Sequence, residues 1–137
     1  RLAAADPANT GWQRDLSVSH DRLGDVAVAA GDLAAARTAY QAALDIAARL
    51  AAAVPANTEW QRDLSVSHSK LGDVAVADGD LAAARIAYQA ALDIRVRLAA
   101  ADPANTGWQR DRAVTRQKID DLGNSVEESM STRSSEA

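Results

Sequence analysis

LGDVAVAAGDLAAARTAYQAALDI (residues 23–46) returns as LGDVAVADGDLAAARIAYQAALDI (71–94), changed only at 30/78 and 38/86. The repetition extends outward in both directions. At an offset of 48, residues 1–48 and 49–96 differ only at 6/54, 11/59, 21/69, 22/70, 30/78, 38/86, 47/95 and 48/96. A third copy opens at Arg97, where RLAAADPANTGWQRD (97–111) repeats residues 1–15, and it decays after Asp121. A fixed period of this length predicts a stack of like supersecondary units, each burying its apolar face on its neighbour.

Two turn signals divide each unit. Ala-Gly-Asp (30–32) or Asp-Gly-Asp (78–80) is one, and Pro-Ala-Asn-Thr (7–10, 55–58, 103–106) is the other. Gly31 and Gly79 suit a helix C-terminal turn, and Asp32 and Asp80 suit the following N-cap. Asn-Thr offers an N-cap, and Thr10/Gln13, Thr58/Gln61 and Thr106/Gln109 have capping-box spacing. Between the signals, apolar residues recur at offsets of 3, 4 and 7 with no competing alternation. Trp12, Leu16, Leu23, Val26, Ala27 and Ala30 form the stripe of the first helix. Leu33, Ala36, Tyr40, Ala43, Leu44, Ala47 and Leu50 form that of the second. Asp45/Arg49 and Asp93/Arg97 stand as i,i+4 pairs. Mid-helix Gly24 and Gly72 cost about 1 kcal/mol each against Ala, and closer approach of a partner helix is the expected return.

Composition narrows function. The chain has 137 residues, 47% hydrophobic and mostly Ala, with no Phe and one Met. A net charge of −4 without a Lys/Arg block argues against a nucleic-acid partner. The absence of Cys removes disulfides, thiolate metal sites and a Cys nucleophile. No stretch reaches the ~20 apolar residues of a membrane span, so no membrane partner and a cytoplasmic location are expected. Residues 1–5 match the end of the second helix at 49–53, which suggests a C-terminal piece of a longer protein. Residues 1–9 are read as the end of a preceding repeat, 10–53 and 58–101 as full units, 106–130 as a partial, capping unit and 131–137 as a disordered tail. The face at the N-terminal end would allow self-association.

Leu23-Gly24, Gly31 and Ala36-x3-Tyr40-x2-Ala43, with Leu71-Gly72, Gly79 and Ala84-x3-Tyr88-x2-Ala91, resemble the tetratricopeptide repeat. The resemblance covers about residues 10–121. It departs where His20 and His68 replace the first-helix aromatic, where Ala27 and Ala75 replace the second, and in a 48-residue rather than 34-residue unit. The added residues correspond to about two turns, roughly 10 Å, on each helix, and Trp12, Trp60 and Trp108 lie there. The ending Ala43-Leu44-Asp45-Ile46 is also similar to the longer repeats of kinesin light chain relatives. Near-identical tandem arrays resemble those of large bacterial multidomain proteins.

What the resemblance implies is an all-α right-handed solenoid of about five helices, two full units and a capping helix. It also implies a concave face on the first helices that holds a peptide or partner helix. By register this face is Arg14, Val18, Asp21, Asp25, Val28 and Ala29; then Arg62, Val66, Ser69, Asp73, Val76 and Ala77; then Arg110, Gln117 and Asp121. The column Asp25/Asp73/Asp121 suggests an acidic ridge favouring a basic or amphipathic segment, and a solvated helix face is the plain alternative. The Trp stripe reads as core packing rather than as interface anchors. One His per unit, with Arg116 at the third position, makes a poor metal site. No phosphate loop, nucleophile elbow or HExxH is present. The expectation is a protein–protein interaction scaffold without enzymatic activity or cofactor. A spacer or oligomerisation module for an upstream domain and a short-peptide sensor are the alternatives.

Overall fold

The computed structural model describes residues 7–136. It is all-α, with α1 (Pro7–Ala29), α2 (Leu33–Ala53), α3 (Thr58–Ala77), α4 (Leu81–Ala101) and α5 (Thr106–Glu136). Each helix packs on the one before it and the one after it. The α1–α2 contacts pair Ser17 with Ala43 and Asp25 with Tyr40, so one index rises as the other falls and the helices are antiparallel. Ion pairs Arg14–Asp63 and Lys70–Asp25 run in the same order along α1 and α3, which are therefore parallel.

The turns follow from local chemistry. Gly31 and Gly79 adopt φ of 78°, which a Cβ would disfavour. The Gly31 N–H donates to Val28 O and the Asp32 N–H to Ala27 O, closing α1 in a Schellman motif repeated after α3. Asp32 and Asp80 then cap the next helices by accepting from Ala35 N and Ala83 N at 3.0 Å.

At the other turn the cap is Asn rather than Thr. Asn57 and Asn105 accept from Trp60 N and Trp108 N at 3.0 Å. Thr58 and Thr106 are the first helical residues, so the capping-box reading is off by one. Gln61 and Gln109 instead donate across the turn to Ala51 O and Ala99 O at the end of the preceding helix. The first Pro-Ala-Asn-Thr differs again, because residues 7–9 already belong to α1. The proposed end of a preceding repeat otherwise lies outside the described residues.

Two like cores form at successive junctions. Ala36, Tyr40 and Val74 are buried together, with Leu33 and Leu71 against them. One period later Ala84, Tyr88, Ala75 and Leu122 are buried, with Leu81 and Ile119 against them. Alanines at the contact let helix axes close, and the glycines go further. A Cβ on Gly24 would overlap the ring of Tyr40, and one on Gly72 would lie 2.5 Å from Tyr88 Cδ1. At the third position stands Asp120, and no tyrosine opposes it among the described residues.

Three expectations are corrected. The stripe Trp12–Leu16–Leu23–Val26 is not core: its members are 64, 37, 60 and 68% exposed, whereas Val74, equivalent to Val26, is 2% exposed. The reason is positional: α2 covers this stripe on α3, and among the described residues no helix covers it on α1. Trp60 and Trp108 are half-buried rather than fully packed. Asp45 and Asp93 accept from Gln41 and Gln89 one turn back, not from Arg49 and Arg97. Finally, α5 runs on through residues 131–136, placed in the tail by sequence. Its side chains beyond Gly123 are exposed, and Thr132 and Ser135 donate only to carbonyls of their own helix.

The substitution 47/95 changes a junction. Ala47 is buried, and the Oγ of Ser67, the equivalent of Thr115, is buried without a hydrogen-bond partner. Arg95, 9% exposed, reaches from α4 to Ser65 Oγ on α3 at 3.2 Å and Thr115 Oγ1 on α5 at 2.5 Å. Burial lowers the pKa of its guanidinium.

Candidate functional site

Three helices meet at each junction and leave a cleft. The first, of about 230 Å³, is lined by Asp25 and Val28 of α1, Leu33 and Tyr40 of α2, and Lys70, Asp73, Val74 and Ala77 of α3. The second, of about 200 Å³, repeats it one unit on with Val76, Leu81, Tyr88, Lys118, Asp121, Leu122 and Ser125. The two clefts share an aromatic and aliphatic floor and a charged rim. They differ at 74/122, where Val becomes Leu, and at 77/125, where Ala becomes Ser.

The charged rim is a repeated triad. The Tyr40 hydroxyl donates to Asp25 Oδ1 at 2.5 Å, while Lys70 Nζ donates to Asp25 Oδ1 and Oδ2 at 2.7 and 3.0 Å. Tyr88, Asp73 and Lys118 repeat it, with Tyr88 to Asp73 at 2.5 Å and Lys118 to Asp73 at 3.0 Å. Each ammonium also lies over the tyrosine ring, at 5.5 Å for Lys70 and 5.4 Å for Lys118. Burial pushes the Asp25 carboxyl up, but the Lys70 and Tyr40 hydrogen bonds outweigh it and hold the pKa below its usual value. Burial and the neighbouring carboxylates raise the pKa of both tyrosines, so they remain donors.

The expected acidic ridge is thereby broken into an alternating ladder. Asp25 and Asp73 are each paired with the lysine of the following unit, and Asp121 accepts from Gln117 at 2.9 Å. Sequence register placed the aspartates but missed the lysines. The available signal was Lys70 and Lys118 standing three residues before Asp73 and Asp121, one turn away on the same face. Tyr40 and Tyr88 stand at the repeat's packing positions. Their rings are indeed buried, but their hydroxyls reach the site.

The remaining positions divide by environment. Val28 and Val76, 44 and 41% exposed, open into the clefts. Val18 and Val66 are half-buried, Ser69 is buried, and Ala29 is exposed outside the cleft linings. Arg14 bridges Glu59 and Asp63 at 2.8 Å each, and Arg62 faces Asp111 at 3.6 Å. These arginines hold α1 to α3 and α3 to α5. Arg110, their equivalent, is exposed and makes no ion pair among the described residues. Asp21 is half-buried with Oδ1 unpartnered, and burial pushes its pKa up to about 6 against the opposing pull of Lys70. Its equivalents Ser69 and Gln117 carry no charge.

His20 and His68 are half-buried, and burial lowers the His68 pKa. Among the described residues no group of three or more His, Asp or Glu side chains is placed to hold a metal ion. No described helix is long and apolar enough to cross a membrane. Comparison with protein-family models, curated proteins and solved structures finds no match for the chain.

Proposed function

We propose that the chain is a tetratricopeptide-type solenoid acting as a protein–protein interaction scaffold. A peptide segment or partner helix lies along the face shared by α1, α3 and α5. The observation that carries this reading is the pair of like clefts, one at each junction. Repeated pockets with apolar floors and polar rims suit a ligand whose side chains enter in sequence. The rim favours an amphipathic segment of mixed charge, since each aspartate stands beside a lysine. Apolar side chains of the ligand would cover Val28, Val74 and Val76, while polar groups meet the remaining valences of Asp25 and Asp73.

Val28→Arg with Val76→Arg tests the reading. Both positions are exposed enough to accept the larger side chain without disturbing the fold. A partner captured by the wild-type chain and lost by the double variant, with unchanged helical circular dichroism, supports groove binding. A partner retained equally by the variant refutes it.

A further inference from the structure

The two clefts are alike in shape but not in charge. The first is lined by two carboxylates, Asp25 and Asp73, and one ammonium, Lys70. The second is lined by one of each, Asp121 and Lys118. Asp21, one turn before Asp25 on α1, adds a carboxylate near Lys70, where the later units carry Ser69 and Gln117. Within the first cleft the two aspartates are unequally engaged. Both oxygens of Asp25 accept from Lys70, and Oδ1 accepts from Tyr40 as well. Lys70 is further held over the Tyr40 ring, so this side is a closed pair. Asp73 accepts from Tyr88 and Lys118 through Oδ1 alone, and its Oδ2 accepts no hydrogen bond among the described residues. Lys118 lines the second cleft, not the first. The first cleft therefore carries one carboxylate more than its own lysine neutralises, above walls of Val28, Leu33, Val74 and Ala77. In the second the lining charges balance, and Leu122 and Ser125 stand in place of Val74 and Ala77.

We propose that the first cleft takes an arginine side chain of the bound segment, with the guanidinium on Asp73 Oδ2 and the methylene stem against Val28, Val74 and Ala77. This names the ligand chemistry of the groove reading and rests on that reading. A long cationic side chain buries its stem on apolar walls while its head stays at the wet rim. The Asp73 side chain, 52% exposed, provides such a rim. Guanidinium suits the place better than ammonium, because it is more weakly hydrated and its planar fork of donors matches a carboxylate edge.

The probe is n-propylguanidinium, the arginine side chain cut at Cα, titrated into the whole chain and followed by amide chemical shifts. Its uncharged isostere n-propylurea is titrated in parallel. The expected result is saturable shifts at Val28, Val74 and Ala77 that exceed those at Leu122 and Ser125, with weaker binding of the urea. Asp73→Asn should weaken guanidinium binding about three- to tenfold. Asp93→Asn, on the outer face of α4, should leave it unchanged. Ala77→Leu, at an exposed rim position, fills the cleft without touching a charge and should abolish binding. It decides the matter if circular dichroism shows that Asp73→Asn perturbs the fold. Equal binding of the urea and the guanidinium would overturn the proposal and leave the groove reading standing. Equal shifts at both clefts, or an equal loss in Asp93→Asn, would reduce the effect to general charge attraction and also overturn it. No shift with either compound would remove the cleft as a binding site, and the groove reading with it.

Discussion

Gly72→Ala should destabilise the protein although it places a better helix former in mid-helix. In isolation the change gains about 1 kcal/mol. In the folded chain the new methyl lies 2.5 Å from Tyr88 Cδ1, well inside van der Waals contact. Tyr88 has little room to retreat. It is 3% exposed, packed with Ala75, Ala84 and Leu122, hydrogen-bonded to Asp73 and covered by Lys118. Overpacking of this kind costs about 1–3 kcal/mol. Displacing the hydroxyl from a carboxylate costs about 1.5–3 kcal/mol more. Against the propensity gain, the net loss is about 1.5–5 kcal/mol. Urea denaturation, followed by circular dichroism and tryptophan fluorescence in parallel, measures it. Gly11→Ala is the control, because nothing lies within 4 Å of its added Cβ, and it should stabilise by about 0.5–1 kcal/mol. In a Tyr88→Ala background the effect of Gly72→Ala should reverse sign. A Gly72→Ala chain as stable as Gly11→Ala, or a loss that persists without Tyr88, would refute the steric argument.

The other predictions concern buried charge. Asp21 has a folded pKa of about 6 against a usual 3.8, so it binds its proton more tightly folded than unfolded. Its effect on stability is least unfavourable below pH 3.8, and stability is lost as pH rises through the window from 3.8 to about 6. Asp21→Ser, the residue found at position 69, should remove that loss and stabilise the chain at pH 7 by up to about 2 kcal/mol after solvent screening. Chemical denaturation at pH 4, 5, 6 and 7 checks this, and an unchanged profile would contradict the burial argument. At the second junction, Arg95→Met should be neutral or stabilising by about 1 kcal/mol, since an apolar side chain of similar length fills the site without desolvating a charge. Thr115→Val removes the acceptor of Arg95 Nη1 and should cost about 1–3 kcal/mol. Thermal unfolding of the pair tests this opposition.

How far the sequence could be read differs from feature to feature. Helical periodicity, Gly31 and Gly79 at the turns, and Asp32 and Asp80 at the caps depend on neighbours within one turn of backbone. They were legible for that reason. So was the requirement for Gly24 and Gly72, because a mid-helix glycine implies a close partner. The capping residue slipped from Asn57 to Thr58 because both side chains suit a cap and only backbone geometry separates them. The cleft positions Asp25, Asp73, Val28 and Val76 followed from register, but the lysines did not. Their spacing to Asp73 and Asp121 places Lys70 and Lys118 on the cleft face, but the aspartates they neutralise lie 45 residues earlier in the chain, and only stacking of the helices brings them together.

By itself, then, the sequence determined the period, the helices and the tyrosine-facing glycines, because each is written in residues a few positions apart and written more than once. Tertiary structure decided what those repeated residues experience. Val26 and Val74 occupy the same place in the unit, yet one is 68% and the other 2% exposed. Ala47 and Arg95 fill equivalent sites with a methyl group and a buried cation. Burial and charge pairing belong to the neighbours that a helix acquires on stacking, and identical sequences with different neighbours have different physics.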